Sequence, residues 1–316
     1  MKLQSADWQS WPGAPGFCDA SLSETLDGGQ AFRWNHAGDH FHGIWGAHSI
    51  CLRLKNGAIE YAAPSGVSPQ ATEAALAKYF AADTDFAALT DALPWRSDPI
   101  LKRAIDAFPG LRILRQPLGE TLFGFLCSST KQIPQIKAIC EAVADDLGHP
   151  LADGSRALPS WTRLAEAEES RLRAAKLGYR ARYIHQTARF LAEHPDYLST
   201  IESAPTDEAR ALLMELPGVG RKIADCTLLF GLGRLEAFPI DTWVQRILIR
   251  AYGLEGWKPE QLLDFARIHF GPAAGLAQQY LFAAARAGVI AGSNGITILQ
   301  PKSPLSSTGS TQKKCP

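Results

Sequence analysis

The stretch Leu216-Pro-Gly-Val-Gly220-Arg-Lys222 decides the fold, and Asp241 follows Lys222 by nineteen positions, within Phe238-Pro-Ile-Asp-Thr242. Residues 206–216 carry leucines at helical spacing, and Thr206 is placed to cap that helix. Pro217 and Gly218 end it, and an apolar helical pattern resumes over 222–232. The pattern predicts a helix-hairpin-helix unit over residues 206–233.

The two glycines of this hairpin indicate a phosphate site. Gly218 and Gly220 can take backbone conformations that other residues avoid, and they leave amide groups uncovered. Free N–H groups at the positive end of a helix dipole suit a phosphate oxygen. The alternative is an ordinary turn between two buried helices, which short motifs of this kind often form.

Lys222 and Asp241 flank the second helix and form a candidate catalytic pair. Lys222 lies in the first turn of an apolar helix, where desolvation and the dipole are expected to lower the pKa of its ammonium group. A neutral amine is a nucleophile. Each residue also has a plain interpretation, Lys222 as a surface lysine and Asp241 as the N-cap of the next helix. The two together at this spacing are more specific than either alone.

The hairpin with its lysine and downstream aspartate resembles the helix-hairpin-helix superfamily of DNA base-excision glycosylases. Within it, the chain is most similar to the lysine-bearing 8-oxoguanine DNA glycosylase/AP lyase family. The resemblance extends over about residues 28–287. Its other anchors, in chain order, are Gly29-Gln-Ala-Phe-Arg-Trp34, Phe123-Gly-Phe-Leu-Cys-Ser-Ser129, Leu177-Gly-Tyr-Arg-Ala-Arg-Tyr183, and Gly271-Pro-Ala-Ala-Gly-Leu-Ala-Gln278 with Phe282.

Hydrophobic periodicity predicts an α+β fold. Short strands are predicted at 31–34, 40–45, 50–54 and 58–62, with Asn56-Gly57 as a hairpin signal. Helices are predicted at 69–80, 86–92 and 99–108, and nearly everywhere from Leu118 onward. We therefore expect an N-terminal antiparallel β-sheet domain over residues 1–115 and a predominantly α-helical helix-hairpin-helix glycosylase core over 116–295. The polar tail 296–316 is predicted to be disordered.

The resemblance implies the chemistry of the site. Lys222 attacks C1′ of the sugar and forms a Schiff base, after which β-elimination nicks the strand. Asp241 stabilises positive charge on the sugar and helps to place the amine. The resemblance implies no cofactor for catalysis. It allows a structural monovalent or divalent cation at the hairpin.

A base pocket is also implied by the resemblance. The carbonyl of Gly29 reads the N7–H that 8-oxoguanine has and guanine lacks. Cys226 and Phe282 sandwich the flipped base, and Gln278 reads its Watson-Crick edge. Gly29 alone could be a plain turn glycine, and the other three could be core or surface residues.

Contacts to duplex DNA follow from the same resemblance. Tyr179 and Arg180 match residues that lie beside the orphaned partner base. Thr130 and Gln135 stand where the best-known eukaryotic members have Asn and Arg that bond orphaned cytosine, and Trp243 replaces a frequent phosphate-contacting histidine. Opposite-base selectivity is therefore predicted to be relaxed. The predicted DNA-contacting set comprises Gly218, Gly220, Tyr179, Arg180, Arg182, Thr130, Gln135 and Trp243.

Charge is unevenly distributed, although the formal net charge is zero. This balance argues against non-specific coating of nucleic acid. Residues 171–190 contain no acid, and two tyrosines lie among the basic residues Arg171, Arg173, Lys176, Arg180, Arg182 and Arg189. Such a segment can contact phosphates and stack on bases, or it can be a solvated helix face.

Cysteine usage and hydropathy bound the remaining classes. The six cysteines include no CxxC pair, so the sequence shows no zinc site or iron-sulfur cluster, unlike the endonuclease III type. No signal peptide or long apolar run is evident. We expect an intracellular monomer with free thiols and no membrane contact, in the cytoplasm or nucleoid of a bacterium or the nucleus of a eukaryote, whose partner is double-stranded DNA containing an oxidised purine.

Two other function classes stay open at this point. A monofunctional alkylbase glycosylase of the same fold needs only Asp241, and Lys222 argues against it. A non-catalytic hairpin DNA-binding module would use Lys222 merely as a phosphate contact.

Overall fold

The N-terminal part of the chain forms an antiparallel five-stranded sheet in a computed structural model that describes residues 7–290. The strand order is β1-β5-β4-β3-β2. The strands are β1 Gln9–Ser10, β2 Trp34–Ala37, β3 His40–Trp45, β4 His48–Lys55 and β5 Ala58–Ala62. Asn56 and Gly57 both have positive φ, 53° and 78°, which confirms the predicted tight turn between β4 and β5.

Helices make up most of the remaining described residues. They are α1 Asp19–Asp27, α2 Pro69–Tyr79, α3 Phe86–Ala92, α4 Pro99–Ala107, α5 Leu118–Cys127, α6 Ile133–Leu147, α7 Trp161–Glu166, α8 Glu169–Leu172, α9 Arg180–Glu193, α10 Tyr197–Ser203, α11 Thr206–Glu215, α12 Arg221–Leu232, α13 Thr242–Tyr252, α14 Pro259–Phe270 and α15 Ala274–Arg286. The predicted α+β fold, a sheet followed by a helical core, is confirmed. The domain boundary after residue 115 stays a prediction, and the tail 296–316 lies outside the described residues.

The sheet has a compact aromatic core covered by α1 and α2. Trp34 stacks on Trp45 with ring centroids 5.5 Å apart, and its indole Nε1 donates to the hydroxyl of Tyr79 at 3.0 Å. Leu26 of α1 and Leu76 of α2 are fully buried in the same cluster. The sheet face against these helices is therefore held by apolar burial and by a satisfied indole.

The predicted strand 31–34 is wrong in its position, since β2 begins only at Trp34. Phe32 leaves the sheet and packs edge-to-face on Phe125 of α5, with centroids 5.2 Å apart. A Cβ on Gly124 would lie 2.7 Å from the Phe32 ring, so the approach to α5 requires glycine there. Packing against the helical core has displaced the strand start.

The helical core is built around α5 and α12. Every side chain of α12 from Ile223 to Gly231 is buried, and α5 is buried from Thr121 to Cys127. A Cβ on Gly231 of α12 would lie 3.2 Å from Leu118 of α5. The turn of the hairpin therefore leads into a helix, α12, that is packed tightly against α5. Within residues 7–290, the structure has no helix long and apolar enough to span a membrane.

Candidate active site

The hairpin between α11 and α12 has one glycine whose conformation requires glycine. Gly218 has φ +81°, and a Cβ there would lie 2.7 Å from Cβ of Tyr183 on α9. Gly220 is the N-cap of α12 with φ −93° and ψ 176°, an extended backbone open to any residue, so the predicted special conformation of Gly220 is wrong. Thr206 is likewise the first helical residue of α11 rather than its cap, which is Pro205.

The N-terminus of α12 is open in a way that suits an anion. No side chain caps it, and nothing lies within 4 Å of a Cβ built on Gly220. Thr187 of α9 donates to the carbonyl of Pro217 at 2.9 Å and thereby fixes the preceding turn. Amide groups at such a terminus attract a phosphate. The predicted cation at the hairpin stays a prediction, and residues 7–290 contain no cluster of three or more His, Cys, Asp or Glu side chains able to hold a metal.

Lys222 points from the first turn of α12 toward the end of α5. Its ammonium Nζ donates to the hydroxyl oxygen of Ser128 at 3.1 Å and lies 5.1 Å from the ring centroid of Phe125. The Ser128 hydroxyl donates in turn to the carbonyl of Phe125 at 2.7 Å, so its oxygen is free to accept from the lysine. The half-buried amine is therefore held in one place by a hydroxyl and an aromatic face.

Asp241 caps α13, as one of its two predicted interpretations requires. Its Oδ1 accepts from the backbone N–H of Trp243 at 2.9 Å and of Val244 at 2.8 Å. Capping through one oxygen leaves the other for a second role. The structural and catalytic interpretations of Asp241 are therefore compatible.

The buried thiol of Cys226 lies near the charges of both Lys222 and Asp241. Cys226 lies one turn after Lys222 on the same face of α12. Burial raises its pKa to about 12, while the positive charge of Lys222 opposes that rise and the negative charge of Asp241 adds to it. Cys226 thus lies within electrostatic reach of both Lys222 and Asp241.

Two of the predicted base-contacting residues, Gly29 and Phe282, approach each other from distant parts of the chain. A Cβ on Gly29, where φ is +103°, would lie 3.8 Å from the ring of Phe282 and 2.9 Å from Ile133. Gln278 lies one turn before Phe282 on α15 and is buried, and its Oε1 has no hydrogen-bond partner within the described part of the chain. An unsatisfied buried amide oxygen is costly unless a ligand pairs with it.

The predicted contacts to the partner base are mostly engaged with the protein itself. Arg180 is buried; it donates to Thr130 Oγ1 at 2.8 Å and to the carbonyl of Ser129. Gln135 Oε1 accepts from the backbone N–H of Gln132 at 3.0 Å and caps α6. Tyr179 is 52% exposed, with the Arg180 guanidinium 4.4 Å from its ring centroid. Arg182 is exposed on α9, and Trp243 is half-buried at the start of α13.

The basic segment 171–190 is less available to DNA than its composition suggests. Arg171 forms an ion pair with Asp146 at 2.7 Å, and Arg173 forms one with Glu169 at 2.5 Å. Acids from α6 and α8 thus neutralise the beginning of the segment. The turn before Tyr179 is irregular, with positive φ at Lys176 and Gly178.

One cavity lies apart from the predicted site. It has a volume of about 530 Å³ and lies between the β3-β4 turn, the start of α5 and the loop before α7. Burial raises the pKa of Glu120 at its wall to about 7. None of the predicted site residues lines this cavity.

Three contacts of the site were not predicted from the sequence. Ser128 and Phe125 belong to one of the quoted anchors, but nothing in the pattern indicated that they hold Lys222. The contact of Ile133 with Gly29 could not be predicted either, since Ile133 looks in the sequence like any other apolar helix residue.

Comparisons with known proteins identify the family of this chain. The family model of the 8-oxoguanine DNA glycosylase N-terminal domain matches residues 18–122, and that of the HhH-GPD superfamily base excision DNA repair protein matches residues 123–267. N-glycosylase/DNA lyase OGG1 of Arabidopsis thaliana is 35% identical over 240 residues, which cover 72% of this chain and 65% of that enzyme. The match thus spans slightly less than two thirds of that relative.

A second relative and a solved structure extend the agreement. N-glycosylase/DNA lyase of Saccharomyces cerevisiae is 31% identical over 272 residues, covering 75% of this chain and 69% of that protein. Clostridium acetobutylicum 8-oxoguanine glycosylase/lyase, in complex with double-stranded DNA containing cytosine opposite 8-oxoG, superposes with a TM-score of 0.79 at 29% identity and covers 85% of this chain and 92% of that one. The chain therefore belongs to the 8-oxoguanine DNA glycosylase family, within the helix-hairpin-helix superfamily of base-excision repair proteins.

Proposed function

We propose that the protein is a bifunctional DNA glycosylase and lyase that removes 8-oxoguanine from duplex DNA. The observation that carries the proposal is the position of Lys222, whose amine is held by Ser128 at the end of α5, one turn before Cys226. Cys226 in turn lies within reach of the charge of Asp241. The similarity to N-glycosylase/DNA lyases and to an 8-oxoguanine glycosylase/lyase supports this reaction. Duplex DNA is the proposed partner, and the protein acts as a monomer.

Base release and strand cleavage both use the lysine. The neutral Nζ of Lys222 attacks C1′; the C1′–N bond to the base breaks, and its electrons leave with the base, which takes up a proton. The amine loses its proton and the sugar ring opens to give an imine between Nζ and C1′. Loss of the proton at C2′ then expels the 3′-phosphate by β-elimination. The carboxylate of Asp241 stabilises the positive charge that develops on the sugar.

Recognition of the lesion depends on a polar pair within an otherwise apolar pocket. The carbonyl of Gly29 accepts from the N7–H of 8-oxoguanine, whereas the N7 lone pair of guanine would face the same carbonyl unfavourably. Gln278 supplies an unpaired amide oxygen to the other edge of the base. Phe282 and Cys226 cover its two faces. A site that must hydrogen-bond a group rejects a base that lacks it more strongly than an apolar pocket could.

The proposed function is tested with a duplex that carries one 8-oxoguanine. Under single-turnover conditions the protein should release the base and cut the strand without alkali. Cutting only after hot alkali would indicate a monofunctional glycosylase. Binding without release of any base would indicate the non-catalytic module.

We expect Gly29→Ala to lower 8-oxoguanine excision by roughly 10²-fold, because a small misplacement of a reacting group can cost that much. The added Cβ would collide with Ile133 and strain a backbone that requires glycine. Cleavage of a preformed abasic site should change little, since no base enters the pocket. The control is Gly38→Ala, since Gly38 also has a positive φ, +67°, but has open space around it. Equal losses in both assays would point to a general folding defect.

Thr130 decides the expected preference for the opposite base. It has φ +54°, a conformation that disfavours a β-branched residue and that asparagine tolerates. Thr130→Asn should therefore fold well and add an amide near the orphaned base. We expect the wild type to excise 8-oxoguanine opposite all four bases with a limited cytosine preference, and Thr130→Asn to raise that preference by roughly tenfold, the effect of about 1 to 3 kcal/mol.

Adding Gln135→Arg is a less clean comparison. The glutamine amide caps α6, and its loss should lower the free energy of unfolding by about 0.5 to 1.5 kcal/mol. Excision rates opposite each base and melting curves for the single and double variants separate the two effects. Strong cytosine selectivity in the wild type, unchanged in both variants, would show that other residues read the partner strand.

A further inference from the structure

One face of α15 carries three side chains at successive turns. Gln278 and Phe282 are the predicted base contacts, and Arg286 follows Phe282 by four positions. The guanidinium carbon of Arg286 lies 5.7 Å from the ring centroid of Phe282. No role was predicted for this arginine, yet it lies at the end of the face on which the base would stack.

Arg286 connects this helix to the turn that contains Gly29. Its Nη1 donates to Glu24 Oε1 at 2.9 Å and to the carbonyl oxygen of Gly28 at 2.9 Å. Burial raises the pKa of Glu24, and the charge of Arg286 opposes that rise. Gly28 is the C-cap of α1, so the glycine turn continues directly from that helix. The arginine therefore bridges α1, the glycine turn and α15.

This bridge constrains the orientation of Gly29. The carbonyl of Gly28 and the nitrogen of Gly29 belong to one planar peptide unit, so holding the oxygen fixes the plane from which Gly29 departs. Gly29 has φ +103°, a backbone conformation that glycine adopts readily and that other residues avoid. It has no side chain to restrict it, and outside contacts must therefore set the direction of its carbonyl. Ile133 packs against the Cα of Gly29, and Arg286 holds the carbonyl of the preceding peptide.

We propose that Arg286 is a specificity-determining positioning residue, whose hydrogen bond to the Gly28 carbonyl aims the Gly29 carbonyl at the N7–H of 8-oxoguanine. The inference rests on the proposed function and deepens it. Arg286 acts through the Gly28–Gly29 turn rather than on the sugar or the base. One helix would thus supply the ring that stacks on the base, the amide that pairs with it, and the group that sets the lesion-specific acceptor opposite them.

The test compares two reactions of the full-length protein. Arg286→Met removes both hydrogen bonds and keeps the length of the side chain. We expect single-turnover excision of 8-oxoguanine to fall by about ten- to a hundredfold, while cleavage of a preformed abasic site stays within about twofold, because only the first reaction needs the base pocket. Arg267→Met is the matched control, since Arg267 is 77% exposed and forms an ion pair with the exposed Asp264; it should change neither rate.

A second variant distinguishes loss of positioning by Arg286 from the effect of leaving the Glu24 carboxylate unpaired. Arg286→Met leaves the Glu24 carboxyl without its partner, and Glu24→Gln removes that charge. If the arginine positions the turn, the double variant Arg286→Met with Glu24→Gln stays as slow on 8-oxoguanine as Arg286→Met alone. Recovery of excision in the double variant would overturn the proposal, as would equal losses on lesion and abasic DNA, or no loss.

Binding supplies an independent readout. In a Lys222→Gln background, Arg286→Met should reduce the affinity ratio between an 8-oxoguanine duplex and the matching guanine duplex by about tenfold. An unchanged ratio would contradict the proposal. Failure of the proposed function is recognised separately, because the wild type itself would then release no 8-oxoguanine.

Discussion

Lys222→Gln should abolish both borohydride-trapped adducts and strand cutting at 8-oxoguanine. The substitution removes the only amine that the hairpin offers, but it keeps a side chain of similar reach whose amide can still donate to Ser128. Lesion-DNA affinity should be largely retained, because the proposed phosphate contact at the start of α12 would be made mostly by backbone amides. The measurements are trapping yield on lesion and abasic duplexes, single-turnover cutting, and the dissociation constant.

Lys131→Gln is the matched control for this experiment. Lys131 lies in the turn after α5, and its backbone N–H donates to the carbonyl of Ser128 at 3.1 Å, so the variant removes one positive charge close to the same site. It should keep trapping and cutting. Undiminished trapping by Lys222→Gln would rule out the Schiff-base role of Lys222.

Asp241→Asn should slow base excision by roughly 10²- to 10³-fold with little change in DNA affinity, because electrostatic stabilisation acts mainly in the transition state. An asparagine oxygen can still accept from the N–H groups of Trp243 and Val244, so the cap of α13 is kept. Asp241→Ala removes the cap as well, and it should lower the free energy of unfolding by about 0.5 to 2 kcal/mol. Excision rates, dissociation constants and melting curves distinguish the two variants.

Asp85 is the matched control for Asp241, because it caps a helix but is not one of the predicted site residues. It caps α3 by accepting from Ala88 N–H at 2.9 Å, and it is exposed. Asp85→Asn should leave excision unchanged. If Asp241→Asn loses affinity or stability in proportion to its rate, Asp241 is a structural cap alone.

Local signals in the sequence predicted the elements whose conformation is decided locally. Asn56 and Gly57 form the expected tight turn because both positions need positive φ. The two helices around Pro217 and Gly218 also follow from short-range rules. Helix α1 was not predicted, since its buried face includes Ser21 and Thr25 beside Leu22 and Leu26, and this mixture conceals the apolar period.

The site was predictable to the extent that the resemblance placed its residues. Cys226 lies near both Lys222 and Asp241, and Gly29 approaches Phe282, while the roles that the resemblance implied stay predictions. Gly220 was given a conformation that it does not need. Its extended backbone depends on how α12 begins rather than on its own residue type.

Long-range contacts account for what the sequence could not indicate. Arg180 reads as a DNA contact, but in the fold it is buried against the turn at Ser129 and Thr130. The bond between Arg286 and Gly28 joins residues 258 positions apart, and no periodicity or motif records such a pairing. Tertiary packing decides these interactions.

The most direct test of the central claim is to identify the residue that reacts with the sugar. The wild-type protein is incubated with an 8-oxoguanine duplex in the presence of borohydride, digested with protease, and analysed by mass spectrometry for the peptide that carries the reduced sugar. We predict a single adduct on Nζ of Lys222. An adduct on another amine, or release of 8-oxoguanine with no adduct at all, would contradict the proposed mechanism.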